Sequence, residues 1–187
     1  NIMTSQNIRV KNLVMAALFT AIGVVLPQAF HMIPNAGSII LPMHIPVLIC
    51  GMTVGGFYGA IAGALTVSLS ILINGMPPLF PTGVCMIVEL AVYGLVSGVA
   101  YKALGCRMNR KRTYAALIIA MLAGRAANGL AMTAAMGMAG KAYTLQAFLT
   151  AAFVTALPGI ILQLLVIPPI LVLLQKARVL EPQPTAA

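Results

Sequence analysis

"CMIVELAVYG", residues 85–94, sets one glutamate, Glu89, inside an unbroken run of apolar and small side chains. The 187-residue chain has only one other acidic residue, Glu181, in a proline-rich tail, against eleven Lys and Arg. Residues on either side are of the same kind: the whole chain is 61% hydrophobic and 7% charged, with a mean hydropathy of +1.03. A soluble domain carries about 25% charged residues. The chain therefore reads as an integral membrane protein, and Glu89 lies where water is excluded. At roughly 20 apolar residues per crossing, a chain of this length holds about six helices and no separate soluble domain. The expected architecture is all-α: one polytopic transmembrane domain over residues 1–187.

Working outward from Glu89, prolines, glycines and basic clusters divide the apolar runs. They place helices at about 11–27, 38–52, 55–74, 83–102, 113–137 and 146–175. The first run, "LVMAALFTAIGVVL", resembles a signal peptide but lacks a small-x-small cleavage site, so it is expected to be a retained helix. With alternating crossings, Arg9, Lys11, Lys102, Arg107, Arg110, Lys111, Arg112, Lys176 and Arg178 share one face, and Lys141 alone takes the other. By the positive-inside rule both termini are cytoplasmic. The same asymmetry accounts for the net charge of +9 without a nucleic-acid partner, since basic residues between apolar runs form no folded basic face.

The outer connections, "PQAFHMIPNAGS" and "NGMPPLFP", are proline-rich and suited to covering a site, although prolines also simply end helices. Gly55, Gly59 and Gly63 on the third helix, and Gly94 and Gly98 on the fourth, recur at intervals of four and predict close helix contact. Ala17 and Ala21 make a similar smooth stripe on the first helix; spacing leaves open whether it faces an internal helix or a partner protein.

Depth then relates Glu89 to the other internal charge. Glu89 lies about seven residues from the outer end of its helix, roughly 10 Å. In "AMLAGRAANGLAM", Arg125 lies about twelve residues from the inner end of its own helix, roughly 18 Å. The two charges are nearly level on consecutive antiparallel helices. A lone charge at mid-bilayer costs at least about 2.5–3.5 kcal/mol on insertion scales, so an ion pair is expected. A ligand can share the same geometry, because Arg125 has five donors and a glutamate uses two or three at most. Asn128 and Met132 continue the Arg125 face, Tyr93 lies one turn from Glu89, and Gln163 and Thr155 flank a Pro158-Gly159 break on the sixth helix. His44, flanked by prolines, is placed to cap the second helix or to reach the pocket, and His31 lies in the first outer loop. These residues form either a buried structural network or a polar pocket for a small water-soluble ligand.

Other chemistry is disfavoured. His31 and His44 are not spaced as a zinc pair, and Cys50, Cys85 and Cys106 fit no metal or disulfide pattern, so no metal and no cofactor is expected. There is no GxxxxGK[ST], HExxH or GxSxG, and one membrane carboxylate without a second acid does not suit general acid–base catalysis. The chain is not expected to be an enzyme.

Several stretches, "AALFTAIGVVLP", "LPMHIPVLICG", "YGAIAGALTVSLS", "GMPPLFP", "ELAVYGLVSGVAY" and "AMLAGRAANG", give residues 8–178 a resemblance to the substrate-binding S components of energy-coupling factor (ECF) transporters, which take up vitamins in bacteria. The resemblance implies a multi-pass protein of the bacterial plasma membrane that binds a vitamin near the outer surface. Its implied partners, besides the lipid bilayer, are a transmembrane scaffold, the T component, and two cytoplasmic ATPases. Ala17 and Ala21 match the alanine stripe that contacts this scaffold in the family. Transport in the family involves toppling of the S component in the membrane, with the energy supplied by the partners. An internal arginine favours an anionic vitamin, with pantothenate the first expectation and pyridoxine, hydroxymethylpyrimidine and cobalamin the others. Two further readings remain: a proton-coupled carrier in which Glu89 titrates, and a membrane subunit that only assembles or senses.

Overall fold

The computed structural model describes residues 2–29, 41–105 and 110–176, and every regular element among them is helical. Helix α1 spans Ile2–Ala29, α2 His44–Val54, α3 Gly56–Asn74, α4 Val84–Ala103, α5 Arg110–Met138, α6 Leu145–Leu149 and α7 Leu157–Lys176. A π-type turn at Leu79–Gly83 leads into α4, and another at Thr150–Thr155 links α6 to α7. Five segments are long and apolar enough to cross a membrane: Asn7–Ala29, Gly56–Asn74, Leu79–Ala103, Lys111–Met138 and Leu157–Lys176.

The second expected crossing, 38–52, takes a different form. Residues 38–40 lie outside the described residues, and α2 is 11 residues long, a rise of about 16 Å or half of a ~30 Å hydrocarbon core. Pro42 explains where it begins. A proline disfavours helical conformation at the residue before it, and Leu41 adopts φ 54° instead. The chain then turns through a His44 N–H to Leu41 C=O bond of 3.1 Å and enters the helix at His44.

This half-length helix is the centre of the molecule. Ten of its eleven residues are buried, against α1, α3, α4 and α7. A helix apolar all round belongs in an interior, and four long helices pack against α2. The last expected helix, 146–175, is also divided, with α6 and the second π-type turn preceding α7. Pro158 falls in the first turn of α7, where its missing N–H is tolerated.

The glycine seams form as the spacing predicts, with one exception. A methyl group built on Gly59 would come 2.6 Å from Gly51 Cα, and Gly94 meets the Gly59 backbone. Gly63 lies on the Leu90 backbone, and Gly98 on Gly51 and Gly56. Thus α2, α3 and α4 meet backbone to backbone, the close approach that drives helix association in lipid. Gly55 does not join the seam. It has φ 122° with nothing near its missing side chain, and serves as the joint between α2 and α3.

Candidate functional site

The seam sets α2 against α4, which brings His44, the first residue of α2, to Tyr93 and Glu89. The His44 and Tyr93 rings meet edge to face, with centroids 5.0 Å apart and planes at 88°. His44 Nε2 lies 3.6 Å from Glu89 Oε1, too far for a hydrogen bond. The amino end of α2, where backbone N–H groups leave a partial positive charge, also comes to the glutamate.

Helix α5 completes the enclosure. Arg125 Nη1 lies 2.9 Å from Glu89 Oε1, and Asn128 Nδ2 donates to Glu89 Oε2 at 2.6 Å. The spacing of three places both side chains on one face of α5, so Oε2 accepts a hydrogen bond from Asn128 while Oε1 faces Arg125 as an ion pair and, although buried, has no hydrogen-bond partner among the described residues. Glu89 is 2% exposed and Arg125 8%, and the level inferred from residue counts is the level at which they meet. Gly124 makes this contact possible. A side chain there would start 2.5 Å from Tyr93 Cε2, so its absence lets the ring pack directly on α5. Sequence reasoning passed over Gly124, although a glycine beside the only internal arginine was a readable signal.

Gln163 on α7 is 1% exposed, on a helix that packs against both α2 and α5. It lies six residues into α7 and Glu89 five residues into α4, each about 8–9 Å along its axis. Neither amide atom of Gln163, neither ring nitrogen of His44, and neither Nε nor Nη2 of Arg125 has a hydrogen-bond partner among the described residues, although all are buried. Buried polar groups are ordinarily paired. Buried side chains with unused donors and acceptors, on His44, Glu89, Arg125 and Gln163, are therefore the distinguishing feature of this interior.

Other expected residues fall elsewhere. Met132 is half-buried, seven residues and about 10 Å along α5 from Arg125. Thr155 is exposed at the end of the second π-type turn, outside the buried cluster. Ala17 and Ala21 are exposed on α1, flanked by exposed Leu13, Val14, Leu18 and Val25. They do not face an internal helix. His31, Cys106 and Glu181 lie outside the described residues, while Cys50 and Cys85 are buried free thiols. No group of three or more His, Cys, Asp or Glu gathers as a metal site among the described residues.

The family model for the ECF transporter substrate-specific component matches residues 11–171. The chain belongs to this family. Nothing among curated proteins or solved structures matches it. As an ECF S component it is a multi-pass membrane subunit that binds a small-molecule substrate for transport in the company of partner subunits, and it is a binding subunit, not a catalyst.

Proposed function

We propose that this S component captures a small water-soluble vitamin or vitamin precursor at the outer side of the bacterial plasma membrane, using the pocket walls formed by His44, Glu89, Tyr93, Arg125, Asn128 and Gln163. Met132 extends the wall on the α5 side. The observation that carries this reading is the set of buried, unpaired polar atoms on His44, Arg125 and Gln163. A purely structural network satisfies its members, because a buried donor or acceptor left alone costs about 1–3 kcal/mol. A ligand that meets them recovers that cost on binding.

The chain works with a T component and two cytoplasmic ATPases. Its exposed Ala17 and Ala21 stripe offers the T component a smooth surface on α1. Six crossings with cytoplasmic termini fit the nine-to-one distribution of basic residues, with α2 as the short second crossing. Pantothenate was favoured by an internal arginine, and that ground weakens once Arg125 faces Glu89 at 2.9 Å. A proton-coupled carrier suits the geometry less well, since neutralising Glu89 would leave Arg125 without its counter-ion.

Native mass spectrometry of the protein extracted gently in lipid nanodiscs tests the proposal, with a co-purifying vitamin-sized molecule expected. Uptake in reconstituted vesicles is expected only when the T component and ATPases are present. Uptake by the chain alone under a proton gradient would overturn the dependence on partners.

A further inference from the structure

At the end of the bundle away from Glu89, packing gathers charge that the sequence scatters. Three helix ends meet there: the carboxyl ends of α4 and α7 and the amino end of α5. Gln175 Nε2 donates to Tyr101 Oη at 2.7 Å, which pins the last turn of α7 to the last turn of α4. Arg112 Nη1 donates to the Leu104 carbonyl at 3.1 Å, which pins α5 to the residue that follows α4. Lys176 adjoins Gln175, Lys102 adjoins Tyr101, and Lys111 adjoins Arg112, so these two bonds bring four cations to one rim, all of them exposed. Glu89, the one carboxylate side chain among the described residues, lies thirteen residues before Lys102 on α4, roughly 20 Å along the axis. The other acid of the chain, Glu181, offsets one charge at most. Two helix carboxyl ends and one amino end together contribute only about half a negative charge. The rim therefore keeps a surplus of positive charge that the chain itself does not neutralise.

Three of the four cations stand over apolar surface. Val99 on α4, Tyr114 on α5 and Leu173 on α7 are exposed. They lie three residues from Lys102, Lys111 and Lys176 respectively, on the same helix face and about 4.5 Å further from the helix end. A cation one turn outside an exposed apolar side chain, repeated on three helices, matches a molecule with an anionic head and a hydrocarbon tail. Lysine reaches such a head by laying its stem along the apolar surface. A free phosphate or an acidic soluble partner would use the charges and leave the apolar residues below them bare. The positive-inside rule accounts for the sign of this end, and the packing of α4, α5 and α7 for its concentration at one rim. We propose that Lys102, Lys111, Arg112 and Lys176 form a docking surface for anionic phospholipid, with headgroup phosphates on the cations and acyl chains along Val99, Tyr114 and Leu173.

Native mass spectrometry of the purified full chain in detergent, titrated with phosphatidylglycerol and with phosphatidylcholine of the same acyl chains, tests the proposal. Phosphatidylglycerol is expected to bind at least about tenfold more tightly. Lys102→Gln together with Lys176→Gln is expected to weaken it about tenfold or more, as the loss of two lysines facing an anionic headgroup predicts, and to leave phosphatidylcholine binding and the thermal midpoint unchanged. Lys102→Arg together with Lys176→Arg keeps the charge and is expected to keep the preference. Lys141→Gln, beyond the far end of α5, is expected to keep it as well. Equal binding of the two lipids, a double Gln variant that retains the preference, or a Lys141→Gln chain that loses it overturns the proposal. Inorganic phosphate that binds as tightly as phosphatidylglycerol assigns the rim to a free anion and overturns the lipid. A double Gln variant that fails to co-purify with the T component, from a chain that shows no lipid preference, assigns the rim to a protein partner and overturns it too.

Discussion

The Glu89–Arg125 pair is the contact whose removal most directly tests the site. Replacing Glu89 with Gln keeps a side-chain oxygen for Asn128 but leaves an arginine that is 8% exposed without a counter-ion. Removing one partner of a buried pair costs about 3–5 kcal/mol, and a lone charge at mid-bilayer about 2.5–3.5 kcal/mol on insertion scales, so about 3 kcal/mol is expected. Arg125→Met strands a carboxylate that keeps only the 2.6 Å bond from Asn128, and a similar loss follows. With both changes no buried charge remains, and the loss falls to about the 1 kcal/mol of an ordinary hydrogen bond. The double variant is thus more stable than either single one, and the coupling energy is at least about 3 kcal/mol, whereas independent sites couple by 0.5 kcal/mol or so. The chain has no tryptophan, and among the described residues Cys50 and Cys85 are buried free thiols, so a thiol-reactive dye reports their exposure on heating or SDS titration. A double variant as unstable as the sum of the single ones refutes the claim that the two residues act as a unit. If the double variant folds without binding ligand, the pair is both structural and functional.

Gly94→Val forces a branched side chain into the Gly59 backbone, and overpacking of this kind costs about 1–3 kcal/mol, seen as a lower thermal midpoint. Gly55→Ala costs less through crowding, since nothing lies near its side-chain position, but it strains a φ of 122° and is expected to destabilise by about 1 kcal/mol or more. Thr144 accepts a bond from Ala147 N–H at 3.2 Å at the start of α6. Thr144→Ala is expected to speed hydrogen exchange in α6, at a cost of about 0.5–2 kcal/mol confined to that segment. Ala17→Leu together with Ala21→Leu leaves ligand affinity of the isolated chain unchanged and lowers vitamin uptake in vesicles containing the T component and ATPases; unchanged uptake would remove the α1 stripe from the docking surface.

The membrane class, the helix-rich architecture and the meeting of Glu89 with Arg125 were all legible in the residues themselves. Lipid makes these inferences strong, because 1.5 Å of rise per residue converts position directly into depth, and an internal charge must find a partner at its own level. The glycine seam was equally readable, since only small residues at intervals of four let two backbones touch. The shortness of α2 was missed, although Pro42 carried the signal: hydropathy is continuous across "IILPMHIPVLIC", and apolarity alone does not show where a proline stops a helix. Thr155 was grouped with Gln163 as flanking a Pro158-Gly159 break, whereas the structure leaves it exposed at the end of the π-type turn at Thr150–Thr155.

What the sequence by itself determined is therefore one-dimensional: which segments are apolar, how deep each polar residue lies, and which faces are small. The tertiary structure decided which of these faces meet. It put α2 at the centre, set the His44 and Tyr93 rings edge to face, laid Tyr93 against Gly124, brought Arg125 and Asn128 to Glu89, and left one edge of Arg125 and the amide of Gln163 unused. Hydropathy fixes depth because water and lipid act on each residue separately. The azimuth of a helix comes from packing against all its neighbours at once, and no single stretch of sequence contains that sum.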